Sequence, residues 1–437
     1  MDWLYWRIRA AGRWSKSFAL DLVAVPVLAC MAVVGRWLRS RRDVQAGPRI
    51  VWGSTPLINN VSWSRAMKQA GFESECFMST VYSINKDDDF ERVLTREFTW
   101  CPQVLRPYLA FGTSLIRYDV VSTSFNGYFL TTPILSRIQA GLFALAGIKT
   151  IVMPFGSDAY VYSRIRSMGL LQGLLLSYPF AARDQKRIAR NVDYWCRRAD
   201  VVIPGVMGPD GFGRWDVPVP SALSVDLDEW TPKSAYTQHD GTTGPVVVGH
   251  APNHRGFKGT EFVIDAVRRL QDEGLKVELR LIEGVTNVEV RRILHEEVDI
   301  LVEQLICTGH GMNGVEGMAT GLPVVCNLED DQYLVAARRY SFFGECPLVS
   351  ADPESVQTVI RGLDTNPILR SELGRLSRQY VEKYHSLDSS RYLFTAVLDF
   401  VYGRRATLSD LYHPLTSDYV RREPRIVPPL DKNRLSG

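Results

Sequence analysis

The chain has 437 residues, 46% of them hydrophobic and 23% charged, enough for two or three globular domains with sizeable cores. A net charge of +3 is too small to mark a nucleic-acid partner. The seven cysteines are odd in number and form no CxxC pair, which argues against a secreted disulfide framework and suits a reducing cytosol. The charge is uneven: residues 1–235 carry 28 Lys and Arg against 20 Asp and Glu, and residues 236–437 carry 23 against 28. The basic half suits an acidic partner, such as a phosphorylated acceptor or an anionic membrane; a scatter of solvated charges is the plainer reading.

Residues 1–47 form a basic, apolar segment. Phe18 to Val34 is apolar except for Asp21, and Pro26 interrupts it. Arg7, Arg9, Arg13 and Lys16 precede it, Arg36, Arg39, Arg41 and Arg42 follow, and Trp3, Trp6, Trp14 and Trp37 flank it. About 17 apolar residues is the lower limit for crossing a bilayer. Three outcomes remain open: a helix lying in a membrane interface, a spanning helix, or a helix packed on the protein. No small-residue cleavage motif marks a signal peptide.

A first domain is expected over 48–235. Arg49 to Trp52 reads as a strand, Gly53 to Pro56 as a turn and Ser62 to Ala70 as a helix closed by Gly71, the opening unit of a doubly wound α/β sheet. Further strands are expected at 118–123, 150–154 and 199–204, with helices at 135–146 and 183–198 between them. Two turns fall where such sheets bind ligands: 124–127, containing Asn126, and 155–160, containing Asp158. Asp158 would either bond an acceptor hydroxyl, hold a neighbouring loop or cap the next helix. Arg164 and Arg166 follow and could meet an anionic acceptor. Asp226 and Asp228 form a D-x-D before the polar linker 233–244, but lack the further ligands a metal needs.

The second domain, 245–390, repeats the pattern. Val246 to Val248 is a strand ending at Gly249-His250, a loop carries Arg255 and Lys258, and strands are expected at 277–282 and 299–305. Then comes GHGMNGVEGMATGLPVVCN, Gly309 to Asn327: a glycine turn, a short helix and an apolar strand. On its own it is either an ordinary connection or a phosphate turn, in which the amides of Met312, Asn313 and Gly314 open a helix whose N-terminus attracts anions. Glu316, on the first turn of that helix, suits sugar hydroxyls. Two cations, turn amides and one carboxylate describe a nucleoside diphosphate site. Residues 391–437 are expected to hold a helix at 392–402 and a polar, Pro- and Arg-rich tail that reads as disordered.

The runs VVVGHAPNHRGFKGTEFVIDAVRRLQDEG, LRLIEGVTNVEV and DILVEQLICTGHGMNGVEGMATGLPVVC resemble the donor domain of retaining GT-B glycosyltransferases of family 4. GSTPLINNVSWSRAMKQAG and ADVVIPG followed by VDLDEW are similar, more weakly, to that family's first domain. The resemblance implies two facing Rossmann-like domains with an interdomain cleft. It implies transfer of a sugar from a nucleotide-diphosphate sugar to a glycan or lipid-linked acceptor with retention, without a metal or other cofactor. It makes Arg255 and Lys258 the diphosphate cations and Glu316 the ribose carboxylate. Gly311 to Val315 become the donor turn, Gly53 the facing loop, and His250 part of the donor site. Arg255, Lys258, Glu316 and Asp158 are the expected catalytic set, and Asn126, Asp158 and Arg164 the acceptor side. Two positions depart from the pattern: Thr308 stands where the family usually has a second Glu, and Phe155 where it often has His. The leading expectation is a peripheral enzyme on the inner face of the cytoplasmic membrane, building a cell-surface polysaccharide or glycolipid. The alternatives are a catalytically weak nucleotide-binding scaffold at a membrane and a nucleotide-sugar epimerase of the same fold.

Overall fold

The computed structural model describes residues 2–43, 47–82, 85, 88–204 and 212–435, with side chains left out of the description at 2–16 and 331. Packing divides the chain into two compact units, residues 1–159 with 187–202, and residues 160–186 with 203–437. The division is not one linear cut, because residues 160–186 leave the first unit and return to it.

The first unit opens with helix α1 (Asp2–Ser40) and holds six strands: β1 (Ile50–Trp52), β2 (Ser74–Met78), β3 (Arg92–Val93), β4 (Val120–Thr123), β5 (Lys149–Val152) and β6 (Val201–Val202). They form one sheet in the order β3-β2-β1-β4-β5-β6, with every pairing parallel. The strands are buried on both faces, which is why they read as unbroken apolar runs rather than alternating ones. Helices α2 (Ile58–Gln69), α3 (Arg106–Arg117) and α4 (Leu135–Ala146) connect them. Helix α4 has the expected bounds and ends on Gly147 at φ +77°, a left-handed stop that glycine accepts without strain. The helix expected at 183–198 is broken at Asp184, after α5 (Met168–Ser177), into α6 (Pro179–Arg183) and α7 (Gln185–Arg198).

The second unit holds β7 (Val246–His250), β8 (Val277–Leu281), β9 (Ile300–Thr308), β10 (Val324–Asn327) and β11 (Val349–Ser350), in the order β11-β10-β9-β7-β8, again all parallel. Between them run α8 (Arg255–Lys258), α9 (Thr260–Asp272), α10 (Asn287–Glu296), α11 (Met312–Ala319), α12 (Asp331–Tyr340) and α13 (Val356–Asp364); α14 (Pro367–Tyr384) and α15 (Leu387–Val401) follow. Val246, Val248, Ile300 and Val302 from the strands pack with Val263, Val267, Ile360 and Leu363 of α9 and α13 in one core. Both doubly wound sheets expected from the sequence are therefore present. In each, strand order reverses once, between β1 and β4 and between β7 and β9, and such reversals open a crevice at the carboxyl ends of the strands.

The end of the chain differs from expectation. Instead of a disordered tail, residues up to 435 are placed, with Tyr412, Tyr419, Ile426 and Asn433 buried. Asn433 donates to the carbonyls of Cys346 and Leu348 at 2.7 and 2.9 Å. Tyr419 stacks on Tyr392 of α15 with centroids 3.9 Å apart. Composition pointed to disorder, but a few aromatic anchors suffice to hold a polar segment.

Helix α1 is docked on α3 and α4 along their length. Asp21, fully buried, accepts from Tyr108 Oη at 2.9 Å and from the amides of Ile134 and Leu135 at 2.8 and 3.3 Å, the N-terminal end of α4. Arg39 donates to the carbonyls of Leu115 and Ala146 at 2.6 and 2.8 Å, at the C-terminal ends of α3 and α4. A carboxylate at one end and a guanidinium at the other match the α4 dipole and satisfy backbone groups that the helix itself leaves open. The backbones come close enough that a Cβ on Gly35 would strike the Leu115 carbonyl. Asp21→Ala leaves a tyrosine hydroxyl and two amides buried without their acceptor. It is expected to cost about 2–4 kcal/mol, read as a lower urea midpoint with an unchanged slope.

Candidate functional site

A buried cluster of charged and polar groups lies at the reversal of the second sheet, where the segment after β7 meets the turn after β9. Lys258 ends α8 and is only 8% exposed. Its ammonium pairs with Glu303 Oε1 and donates to Gln304 Oε1 at 2.7 Å. Glu303 Oε2 accepts from the amide of Gly311 at 3.1 Å, and Gln304 Nε2 donates to the carbonyls of Cys307 and Gly309 at 3.1 and 2.7 Å. Two consecutive strand residues ordinarily point to opposite faces. Here the β9–β10 register slips between the pairs Val302–Val325, Gln304–Cys326 and Thr308–Asn327. This irregularity turns Glu303 and Gln304 into one network, the re-aiming that bulges perform.

The glycines have a different first neighbour from the one expected. A Cβ on Gly311 would sit 3.0 Å from Glu303 Oε1 and 3.5 Å from Lys258 Nζ, and one on Gly314 would lie 3.0 Å from His310 Cβ. These glycines make room for the buried ion pair and for His310. Gly309, at φ +87°, supplies the turn itself. Helix α11 then opens with Gly311 as its cap residue, and its N-terminal end already holds the Glu303 carboxylate.

Arg255 is placed otherwise. It is exposed and pairs with Glu261 of α9 at 2.9 Å and Glu283 at 3.0 Å. Lys258 and Arg255 are thus both paired with carboxylates. Breaking the exposed pairs costs at most about 1 kcal/mol each, whereas breaking the buried pair costs several. Arg255 is the cation that can turn to a ligand.

Glu316 is the fifth residue of α11, one turn deeper than expected, and is buried. Its carboxyl accepts from Asn287 Nδ2 at 3.2 Å and Asn313 Nδ2 at 3.5 Å. Burial pushes its pKa up to about 7; the two amides and Arg291 pull the other way, and Glu303 adds to the rise. His250 is fully buried. Its Nδ1 lies 2.7 Å from the Val302 carbonyl, which can only accept, so Nε2, 2.9 Å from Thr260 Oγ1, takes the hydroxyl proton. Burial lowers its pKa to about 4, and the neutral ring ties β7 to β9 and α9.

The residues expected on the acceptor side fall in both units. In the first unit the turns after β4 and β5 meet through Asp158. It is 2% exposed and accepts from Phe125 N on Oδ2 and from Phe155 N and Gly156 N on Oδ1, each at 3.0 Å. Of the roles weighed for it, Asp158 holds the loops. Asn126 Oδ1 accepts from Arg187 at 3.1 Å. A Cβ on Gly53 would collide with the Phe77 carbonyl, so packing against β2 demands that glycine. Arg164 closes the short 3₁₀ turn Tyr162–Arg164 in the second unit. Asp226 and Asp228 form a turn, with Asp228 N donating to Asp226 Oδ1 at 3.0 Å.

The elements missed from sequence are Glu303, Gln304 and α5. Glu303 and Gln304 did carry a signal, two polar residues inside the apolar run ILVEQLIC. Helix α5 packs on α8, with Phe257 N donating to Ser177 Oγ at 2.9 Å and Tyr178 lying 4.5 Å from the His254 ring. That wall next to Arg255 is a long-range contact without a local signature.

No family model matches the chain, and no curated protein matches it. Among solved structures, a sucrose-phosphate synthase from Thermosynechococcus elongatus aligns over 82% of this chain and 100% of its own, at 11% identity and a TM-score of 0.47. The catalytic domain of starch synthase IV from Arabidopsis thaliana, bound to ADP and acarbose, aligns over 86% and 100% at 10% identity and 0.47. WaaG, a glycosyltransferase involved in lipopolysaccharide biosynthesis, aligns over 81% and 99% at 12% identity and 0.42.

The buried pair gives a sharp expectation. Lys258→Met strands Glu303 in the interior and is expected to cost about 3–5 kcal/mol. Adding Glu303→Gln removes the stranded charge and should recover roughly half of that or more. Urea unfolding of the two single variants and the double variant measures the coupling; additive losses would exclude it.

Proposed function

We propose that the protein is a glycosyltransferase that moves a sugar from a nucleotide-diphosphate sugar to a glycan or lipid-linked acceptor with retention of configuration. It would work peripherally on the inner face of the cytoplasmic membrane, in cell-surface polysaccharide or glycolipid synthesis. One observation carries this reading: at the reversal of the second sheet a re-orientable arginine after β7 and, after β9, a glycine turn opening a helix with a buried carboxylate come from two separate segments. The cleaved bond is the anomeric C–O bond, and its electrons leave on the diphosphate. Arg255, released from Glu261 and Glu283, and the opening amides of α11 would stabilise that charge, so no metal is needed. Lys258 holds Glu303 and the turn in place, and Glu316 accepts from the ribose hydroxyls. Asn126, Asp158 and Arg164 are assigned to the acceptor, with Asp158 bracing the loops after β4 and β5, and Gly53 is assigned to the donor. Thr308 leaves the sugar hydroxyls one carboxylate poorer than the resembled family, so the diphosphate half of the site is the stronger part of the reading.

The pairing of both cations by carboxylates favours a second reading, a scaffold that binds nucleotide and turns nothing over. A donor screen separates the two. Nucleotide sugars with different bases, tested by thermal shift and then for sugar release with a membrane extract, should give stabilisation and turnover with the same donor. Stabilisation with no turnover of any donor supports the scaffold, and isomerisation of the donor sugar without acceptor supports an epimerase.

Glu316 adds a pH signature. Its carboxylate form accepts the ribose hydroxyls, and with a pKa near 7 it is mostly protonated at pH 6. Affinity for a nucleotide sugar, whose diphosphate does not titrate in this range, should fall about tenfold from pH 8 to pH 6. Glu316→Gln should bind weakly at both. Calorimetry at the two pH values checks it, and a flat wild-type profile would remove Glu316 from the donor site.

A further inference from the structure

We propose that α1 docks the protein flat onto an anionic lipid bilayer through its outward face. This deepens the peripheral placement above but rests on the first unit alone, so its failure would leave the donor chemistry untouched.

Two observations fix the geometry. The inner face of α1 belongs to the protein: Leu28 and Ala32 are buried, and Asp21 and Arg39 are bound at the ends of α3 and α4. The stretch Ser17–Ser40 is long and apolar enough to cross a membrane by length and composition. Spanning, however, would pull Asp21 from three donors and Arg39 from its carbonyls, and would uncover the faces of α3 and α4. The outer face of a helix so docked should be polar. Instead Leu22, Val23, Val27, Val33, Val34 and Trp37 lie along it, each between 46% and 70% exposed. At 1.5 Å per residue, the run from Leu22 to Trp37 is about 22 Å of continuous apolar surface. It carries no carboxylate from Leu22 to Arg42. Beside it, Pro26, Cys30, Met31 and Ile116 line a groove of about 400 Å³ that is almost wholly apolar, a seat for acyl chains.

Charge selects the occupant. Residues 1–43 hold eight basic side chains against three acidic ones, with Arg7, Arg9, Arg13 and Lys16 before the stripe and Arg36 and Arg41 at its end; Arg39 and Arg42 are paired with Asp119. Arg41 lies over the Trp37 ring at 4.0 Å, an aromatic and a cation together at the end of the apolar run. Basic ends repel a second copy of the same helix and attract anionic headgroups, while the apolar middle enters the acyl boundary.

Cys30 makes the test direct. It is exposed on this face, and the other six cysteines are buried, so an environment-sensitive thiol dye labels this one position in the native protein. With vesicles containing phosphatidylglycerol the dye should shift to the blue and be quenched by bromine-labelled acyl chains. Pure phosphatidylcholine and high salt should weaken both effects. Val23→Glu with Val27→Glu, both at exposed positions, should keep the melting temperature and lower vesicle binding at least about tenfold. A dye unaffected by anionic vesicles would overturn the proposal. So would a lipid-free dimer by sedimentation in which Cys30 is shielded, which would assign the face to a second copy.

Discussion

A carboxylate buried in a strand sets the terms for the second unit's site. Glu303 has no exposed side-chain surface, and a charge so placed must be paired. Its two oxygens go to different segments, one to Lys258 at the end of α8 and one to the Gly311 amide that opens α11. The segment after β7 and the turn after β9 are therefore locked to each other before any ligand arrives. The lock also divides the cations. Lys258 spends its charge inside the protein, and Arg255, three residues earlier and outside, keeps weaker partners that an anion can replace. A preorganised turn with one movable cation is a less costly arrangement than two unpaired cations waiting in a crevice.

The first unit solves a related problem with α1. Asp21 and Arg39 each lie where a helix end needs the opposite partial charge, and the residues between them make the inner contact. The same helix is apolar on its other side as well. From sequence this looked like one apolar run with a misplaced Asp, and the three fates weighed for it have the same composition. What separates them is the destination of Asp21, which is decided by Tyr108 and the start of α4, 87 and 113 residues away.

Much of the architecture was legible because parallel strands buried on both faces leave continuous apolar runs, and because Gly147, Gly274 and Gly321, all at positive φ, stop helices where the pattern breaks. The pairing of the site was not legible. A period of two assigns Glu303 and Gln304 to opposite faces, and only the register slip against β10 brings them together. The family resemblance put His250, at the end of β7, in the donor site. Its burial with both nitrogens bonded makes it a brace, which position along a strand cannot reveal. In both units a charged residue stranded in an apolar run, Asp21 in the helix and Glu303 in the strand, marked the contact on which the packing turns. That signal was available in the sequence and pointed to a partner without naming it.

Thr308 follows from the same electrostatics. In the family this chain resembles, a glutamate usually stands there, one residue before the turn. Here Glu303 already reaches that turn from five residues earlier, and its charge is felt at Glu316 as a rise in pKa. A carboxylate at 308 would add an acid beside the turn that Glu303 already reaches through the Gly311 amide. Like charges brought together in a dry site either protonate or force the site open. Thr308 adds no charge there, and the buried carboxylate of Glu303 works from the inside of the turn, where it anchors Lys258.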